Sequence, residues 1–159
     1  MTRISYLEIS PRQSGKTARL IKKAATLSRQ GHTVVYVSPG LDEERQTALR
    51  RVGVIVRKDG ETLPKHLDED RAVWFYDEFD WLKCTTVRMG GYYATTAKRL
   101  RDPRVDSPES DMLLALLKAN GYSHERHFIP LAMRETLAEM RLLYRPEEFR
   151  LFCLGEFMQ

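Results

Sequence analysis

The sequence predicts an α/β fold in which a mostly parallel sheet has helices on both faces. Short apolar, β-branched segments alternate with longer segments of helical periodicity, which is the pattern of a parallel sheet crossed over by helices. Polar motifs also follow directly after two of the apolar segments. The chain has 159 residues, 42% of them hydrophobic and 30% charged, which fits one globular domain with its own core.

The predicted elements follow one another without a convincing interdomain linker. Strands are expected at residues 4–9, 33–37, 52–56, 72–76 and 91–95. Helices are expected at residues 16–29, 41–51, 108–120 and 130–144. Residues 58–70 are polar and predicted to be a loop, whereas the pattern of residues 149–154 fits either a strand or a helical turn. We therefore expect a single domain over 1–159, with a ligand-binding core in 1–97 that 98–159 completes.

The most informative segment lies between the first strand and the first helix. It follows the phosphate-loop pattern GxxxxGK(S/T), except that serine replaces the first glycine. The loop consists of Ser10, Pro11, Arg12, Gln13, Ser14, Gly15, Lys16 and Thr17. Backbone N–H groups and the positive end of the helix dipole would bind a polyphosphate here. We expect Lys16 to reach the β- and γ-phosphates and the Thr17 hydroxyl to ligate Mg²⁺.

A second motif supports the first one. The apolar run 71–76 ends in the acidic pair Asp77 and Glu78, which is the arrangement of a Walker B strand. We expect Asp77 to hold magnesium through its water shell and Glu78 to polarise a water for attack on the γ-phosphate. The pair could instead begin a solvated helix, with the aspartate as its cap. Together the two motifs favour an ATPase that binds Mg²⁺ and ATP.

Charge and cysteine content set the expected surroundings. The formal net charge is +4 and the isoelectric point about 9.1, values that allow a nucleic-acid or acidic partner without requiring one. Two cysteines without a CxxC motif fit a reducing cytosol. The sequence has neither a secretory signal nor a stretch of 18 apolar residues, so we expect a cytoplasmic protein and no membrane partner.

The two motifs resemble those of the large terminase subunits of tailed bacteriophages. Pro11–Thr17 is similar to the terminase phosphate loop, whose first position need not be glycine, and Tyr76–Phe79 is similar to the terminase Walker B motif. Tyr92–Thr96 stands where that family has a Ser/Thr-rich coupling motif, and Glu147–Phe157 looks like the segment that closes its ATPase region. We expect the chain to correspond to that ATPase region without the nuclease domain.

The resemblance implies a P-loop NTPase fold of the RecA-like, additional-strand, catalytic-glutamate type. It also implies ATP hydrolysis that drives work on double-stranded DNA, most directly genome packaging in the host cytoplasm. A homo-oligomeric working state and other phage packaging or replication proteins as partners follow from the same resemblance. Two alternatives remain open: a DNA-dependent, helicase-like ATPase of phage replication or recombination, and a slow nucleotide-dependent assembly switch.

Arg12 is the most specific secondary candidate. A guanidinium inside the phosphate loop can neutralise charge that develops on the γ-phosphoryl oxygens, which is the role of an arginine finger supplied in cis. The terminase resemblance implies the same role. The alternative is an arginine that points to solvent or pairs with a nearby acid.

Several further residues carry weaker hypotheses. Thr95 and Thr96 either sense the γ-phosphate or merely suit a strand end, and Gln13 either contacts phosphate or fills the loop. His124 and His127 could share a metal, but the sequence offers no evident third and fourth ligand.

A basic run follows the predicted core. Lys98, Arg99, Arg101 and Arg104 could track a nucleic-acid backbone, or an arginine among them could reach a neighbouring subunit's nucleotide. The interspersed aspartates favour a simpler alternative, in which the run is a solvated charged face.

Overall fold

The computed structural model describes residues 3–159, so residues 1–2 of the predicted domain lie outside the described chain. The protein is α/β with a five-stranded, all-parallel sheet. Its strands are β1 (Tyr6–Ile9), β2 (Val34–Ser38), β3 (Ile55–Lys58), β4 (Val73–Asp77) and β5 (Tyr92–Thr95). Its α-helices are α1 (Lys16–Arg29), α2 (Glu43–Arg51), α3 (Met112–Ala119), α4 (Arg134–Leu143) and α5 (Pro146–Leu154). The predicted parallel α/β class is confirmed.

The strands are arranged in the order β1-β5-β4-β2-β3. The last strand in the chain therefore lies between the strand that precedes the loop and the strand that ends in the acidic pair. Tyr93 of β5 is paired with Leu7 of β1 on one side and with Tyr76 of β4 on the other. Since all strands run the same way, the ends of β1, β4 and β5 meet at one edge of the sheet.

Helices cover both faces of the sheet, as expected for a three-layer sandwich. Alternate residues along each strand point to opposite faces. Leu20 and Ala24 of α1 and Leu49 of α2 pack in the cluster on one face. Leu113 of α3 and Leu151 of α5 pack in the cluster on the other. None of the helices in residues 3–159 is both long and apolar enough to cross a bilayer.

The β1 edge of the sheet is covered by the chain around Glu125. The Glu125 N–H donates to the Leu7 carbonyl at 2.8 Å, and the Ile9 N–H donates to the Glu125 carbonyl at 3.0 Å. This isolated parallel bridge satisfies backbone groups that an open edge strand would expose. It also fixes residues 124–127 beside the start of the phosphate loop.

The observed helix boundaries differ from the predicted ones in the second half of the chain. The helix predicted over 108–120 begins only at Met112, because Ser107 to Ser110 form a turn and Asp111 caps the helix by accepting the Leu114 N–H at 3.1 Å. The segment 149–154, left open between strand and helix, belongs to α5, whose first position is Pro146. The helix predicted over 130–144 begins with the 3₁₀ turn Leu131–Met133 and continues as α4.

The start of β3 also differs from the prediction, because the strand begins at Ile55 and not at Val52. Gly53 has a φ of 89° and its N–H donates to the Arg50 carbonyl at 3.0 Å, so residues 52–53 end α2.

The end of α5 approaches the phosphate loop so closely that only glycine fits. Gly155 has a φ of 72°, and a Cβ placed on it would lie 3.0 Å from Pro11 Cδ and 3.1 Å from Pro11 N. We expect Gly155→Ala to lower the free energy of unfolding by about 2–4 kcal/mol, since it adds a backbone contact to the cost of a left-handed alanine. Urea unfolding measures the loss.

Gly121→Ala is the matched control for that substitution. Gly121 also has a positive φ, of 66°, but a Cβ there would meet nothing within 4 Å. Gly121→Ala should therefore lower the free energy of unfolding by only about 1 kcal/mol, the cost of placing alanine in a left-handed conformation. Equal losses for the two variants would contradict a specific contact between Gly155 and the loop.

Candidate functional site

The two sequence motifs meet at the carboxyl edge of the sheet. Thr17, in the first turn of α1, and Asp77, the last residue of β4, are 60 positions apart in the chain. The Thr17 hydroxyl nevertheless donates to Asp77 Oδ1 at 3.3 Å. The parallel sheet brings them together, because both β1 and β4 deliver their following residues to the same edge.

Lys16 lies within the curve of the loop. Its side chain is only 5% exposed, and its ammonium donates to the Pro11 carbonyl at 3.1 Å. The same Nζ is 3.3 Å from Glu78 Oε1. The structure thus places the predicted phosphate-binding cation and the predicted catalytic carboxylate in one ion pair.

The loop takes its shape from two left-handed residues and one side-chain bond. Gln13 has a φ of 57° and Gly15, which precedes α1, a φ of 84°. The Ser14 hydroxyl donates to the Pro11 carbonyl at 2.7 Å. The Pro11 oxygen therefore accepts from both Ser14 and Lys16, which closes the loop around the lysine. Gln13 itself is exposed.

Ser10, the residue that replaces the first glycine of the pattern, is fully buried. Its hydroxyl donates to Glu8 Oε1 at 2.8 Å and accepts the His127 N–H at 2.9 Å. A glycine has no group to make these two bonds. The serine therefore ties the start of the loop to β1 and to the edge segment.

Glu8 is a buried carboxylate that sequence reasoning missed. It accepts hydrogen bonds from the Tyr6 hydroxyl at 2.7 Å and from Arg19 Nε at 3.1 Å, in addition to Ser10. Burial alone would raise the pKa of Glu8, but the bonds from Arg19, Tyr6 and Ser10 lower it below its ordinary value. An acid inside an otherwise apolar strand was the available signal, since such a group needs partners when buried.

Asp77 is buried at the end of β4 and is also held by a residue that the sequence analysis overlooked. The Tyr36 hydroxyl, from β2, donates to Asp77 Oδ2 at 2.9 Å. Burial and, next, the neighbouring charge of Glu78 raise the pKa of Asp77 to about 6, against the lowering effect of the bonds from Tyr36 and Thr17. A nearby positive charge would therefore stabilise the charged form of Asp77.

Glu78 points back towards the end of β5. It has a left-handed backbone, with φ 51° and ψ 46°. Its Oε2 accepts the Thr96 N–H at 3.0 Å and lies 3.4 Å from the Thr95 hydroxyl. Both threonines predicted as sensors therefore contact the carboxylate directly. The Thr96 hydroxyl is buried without a partner in the described chain.

An ion pair fixes the turn that follows Glu78. Asp80 Oδ1 and Oδ2 accept from Arg101 at 2.6 and 2.8 Å, and Asp80 Oδ2 also accepts the Lys98 N–H at 2.6 Å. Arg101 is only 3% exposed. Its predicted contact with a DNA backbone, or with a neighbouring subunit's nucleotide, is therefore wrong, because the guanidinium is already enclosed by Asp80 and Asp111.

Two other arginines of the basic run are also paired internally. Arg99 forms an ion pair with Asp106 at 2.6 Å, and Arg104 forms one with Asp102 at 2.6 Å. Both side chains are also exposed, so the alternative interpretation, a solvated charged face, describes Arg99 and Arg104 better than a nucleic-acid track does.

Arg12 lies at the mouth of the site and is exposed. Its N–H donates to the Phe152 carbonyl at 2.9 Å, and its guanidinium lies 4.4 Å above the Phe152 ring. The side chain borders an open cleft of about 300 Å³. The other residues that line this cleft are Pro39, Glu78, Trp81 and Thr96.

The two histidines predicted as possible metal ligands point to different partners. His127 Nε2 is 3.1 Å from Glu125 Oε2, whereas the His124 ring packs edge-on against Phe157. Within residues 3–159 no group of three or more His, Cys, Asp or Glu side chains is placed to hold a metal alone. The histidine metal site is not formed.

Thr17 and Asp77 offer a donor set that fits Mg²⁺ bound together with phosphates. Both present oxygen atoms, one from a hydroxyl and one from a buried carboxylate. Magnesium in phosphate-transfer sites takes one or two protein oxygens and completes its shell with substrate oxygens and water. The pair therefore fits a metal that arrives with a nucleotide.

Comparison with known proteins adds no relative: no protein-family model, curated protein or solved structure matches this chain.

The buried charge of Asp77 should destabilise the protein at neutral pH, and this contribution of Asp77 should disappear at acidic pH. A pKa raised from 3.8 to about 6 gives stability that is present below about pH 4 and lost as the pH rises through 6. We expect Asp77→Asn to raise the free energy of unfolding at pH 8 by about 2–3 kcal/mol. Urea unfolding of both proteins at pH 4 and pH 8 tests this.

The gain should nearly vanish at pH 4, where the native carboxyl is protonated. Asp70→Asn, at an exposed aspartate, is the control and should change stability little at either pH. A variant of Asp77 that is less stable than the parent at pH 8 would refute the assignment of a strained, buried charge.

Proposed function

We propose that this protein is a P-loop ATPase of the additional-strand, catalytic-glutamate type, similar to the ATPase region of the large terminase subunit. One observation carries the proposal: Lys16, Thr17, Asp77 and Glu78, from two distant motifs, converge within hydrogen-bonding or ion-pairing distance at the carboxyl edge of a parallel sheet. Such an edge is the usual ligand site of this architecture.

The strand order supports the proposed class. β5 is inserted between β1, which leads into the loop, and β4, which ends in the acidic pair. In the proposed class, β5 would be the additional strand after which the class is named. Its end supplies Thr95 and Thr96 to the Glu78 carboxylate, so the inserted strand also has a role in the site.

The loop and the first turn of α1 would bind the polyphosphate. The α1 N-terminus provides unpaired N–H groups and a positive dipole end. Lys16 adds a full charge beside them, and Thr17 and Asp77 would hold Mg²⁺. When bound, the metal neutralises negative charge on the phosphate oxygens. Asp77, whose pKa is raised to about 6, would then be held in its charged form by the nearby cation.

Glu78 would orient the attacking water and accept its proton. Lys16 and Glu78 neutralise each other in the present arrangement, with Nζ and Oε1 3.3 Å apart. A polyphosphate that draws Lys16 towards its own oxygens would free Glu78 Oε1, while Thr96 continues to hold Oε2. Activation of the carboxylate would thus depend on the nucleotide being bound.

Arg12 would stabilise the transition state from the mouth of the cleft. Its guanidinium has no acidic partner among the described side chains and rests on the Phe152 ring at 4.4 Å. A cation–π contact at an exposed site contributes only about 0.5–1 kcal/mol. The side chain can therefore leave Phe152 for a developing γ-phosphoryl charge at small cost.

We further propose that hydrolysis drives work on double-stranded DNA, with genome packaging as the process, on the strength of the terminase resemblance. The supporting residues are the loop Pro11–Thr17 and the motif Tyr76–Phe79.

The ATPase proposal is tested by three substitutions assayed for Mg²⁺-dependent phosphate release and for nucleotide affinity. Glu78→Gln should reduce turnover by about 10²-fold or more with nucleotide binding retained, because the water loses its base. Lys16→Ala should weaken binding as well. Arg12→Ala should lower turnover far more than affinity, since its contact forms mainly in the transition state.

Glu109→Gln is the control, because Glu109 is an exposed carboxylate that pairs with Lys118 far from the loop in the sequence. It should retain parental turnover. An Arg12→Ala protein with unchanged turnover would remove Arg12 from the mechanism, and parental turnover in Glu78→Gln would remove the catalytic glutamate.

The DNA proposal predicts that double-stranded DNA stimulates steady-state turnover several-fold at low salt and less at high salt, as for a phosphate-backbone contact. Substantial turnover that DNA leaves unchanged would contradict a DNA motor. Negligible turnover with and without DNA would instead favour a nucleotide-dependent switch.

A further inference from the structure

A large cleft in the described chain lies outside the proposed ATP site. It is a cleft of about 450 Å³ between the outer flank of α1 and the β1–β5 side of the sheet. This volume is within the range of pockets that bind small organic molecules. The residues that line it are Tyr6, Arg19, Lys22, Lys23, Thr26, Leu27, Gln30, Tyr92 and Glu125.

The helix side of the cleft is a continuous stripe of α1. Each of Lys22 and Lys23 lies three or four residues from both Arg19 and Thr26, which is the spacing of one helix face, and Gln30, the C-cap of α1, lies four residues beyond Thr26. This stripe presents cations and amide or hydroxyl groups to the cleft.

Two of the three cations on this stripe are not neutralised by an ion pair in the described chain, whereas the third, Arg19, is paired with the buried carboxylate of Glu8. Lys22 and Lys23 form no ion pair within residues 3–159, and the Lys23 ammonium lies 4.4 Å above the Tyr6 ring. Arg19 donates from Nε and Nη2 to Glu8, so that Nη1 has no acceptor in the described chain. The cleft therefore presents two ammonium groups without an ion-pair partner and one free guanidinium nitrogen, together with the Glu125 carboxylate.

The sheet side of the cleft is aromatic: it is lined by Tyr6 and Tyr92, whose ring centroids are 6.3 Å apart. One face of the Tyr92 ring stacks on Phe75, with centroids 4.4 Å apart and planes at 11°. Tyr92 is only partly buried and lines the cleft. A ring held in this way is a suitable platform for a second planar ring.

Glu125 and Gln30 place polar groups at the ends of the cleft. The Glu125 carboxylate accepts from the Tyr6 hydroxyl at 3.1 Å and has capacity for another donor. The Gln30 amide, at the far end of the stripe, forms no side-chain bond with the described residues. These groups can bond the edge of a nitrogen heterocycle, whereas the cations suit a phosphate.

We propose that this cleft is a second ligand site, specific for a small phosphorylated compound with a planar heterocyclic ring, of which a nucleoside monophosphate is the simplest form. The phosphate would lie on Lys22, Lys23 and Arg19, and the ring on Tyr92. The site is separate from the ATP site and does not rest on the proposed ATPase function.

Arg19 places the cleft in contact with the phosphate loop. A Cβ on Gly15 would lie 3.0 Å from Arg19 Nη1, so this guanidinium packs directly against the last turn of the loop. The same side chain bonds Glu8, which bonds Ser10 at the start of the loop. A ligand that binds Arg19 would therefore contact a side chain that packs against Gly15 in the loop and bonds Glu8, the partner of Ser10.

The test uses AMP as the probe and the Lys16→Ala protein as the background, so that binding at the phosphate loop is weakened. In ¹H–¹⁵N correlation spectra we expect saturable shifts at the amides of Lys22, Lys23, Gln30 and Tyr92. Lys22→Ala/Lys23→Ala should weaken AMP binding at least about tenfold, as expected for two lost phosphate contacts. Inorganic phosphate and adenosine should each bind more weakly than AMP.

The matched control is Lys65→Ala/Lys83→Ala, which removes the same charge from two exposed positions outside the cleft and should leave the AMP affinity unchanged. Lys22→Arg/Lys23→Arg should retain binding. Shifts confined to residues 10–17, an affinity that the Lys22/Lys23 substitution does not change, or phosphate that binds as well as AMP would each overturn the proposal. None of these outcomes depends on whether the protein hydrolyses ATP.

Discussion

The arrangement of this protein depends on the placement of two adjacent carboxylates, Asp77 and Glu78, at the end of a buried parallel strand. Burial imposes a desolvation cost on the Asp77 carboxylate and the neighbouring charge of Glu78 repels it, which is why the pKa of Asp77 rises to about 6. Each acid is therefore given its own partners. Tyr36 and Thr17 bond Asp77, whereas Lys16 and Thr96 bond Glu78.

The left-handed backbone at Glu78 separates the two carboxylates. It turns the second acid towards β5 while the first stays on the α1 side of the sheet. A non-glycine residue in this conformation costs about 1 kcal/mol or more and persists only when its surroundings enforce it. The following turn does so, because Asp80 is bonded by the buried Arg101. The basic run that suggested a DNA surface thus supports the acidic pair from within the molecule.

The candidate phosphate loop, residues 10–17, is likewise held in place by residues outside it. Glu8, Ser10 and the partly exposed Arg19 form one hydrogen-bonded network that joins the strand before the loop to the helix after it, and Gly155 lets α5 pack against Pro11. Serine at the first loop position therefore has a structural role, since its hydroxyl bonds two other segments of the chain. These contacts stabilise the surroundings of the site and offset the free-energy cost of burying the Asp77 charge.

The sequence by itself determined the parallel α/β class, the five strands and the positions of both motifs, because apolar periodicity and strand–loop–helix order are local properties. The start of α3 was misplaced, since Ser107 and Asp111 are both acceptable caps and only packing selects between them. Tertiary structure alone decided that Tyr36 bonds Asp77, that Arg101 is buried and that Arg12 rests on Phe152. These partners come from segments far apart in the chain, and no local pattern encodes which of them meet across a sheet.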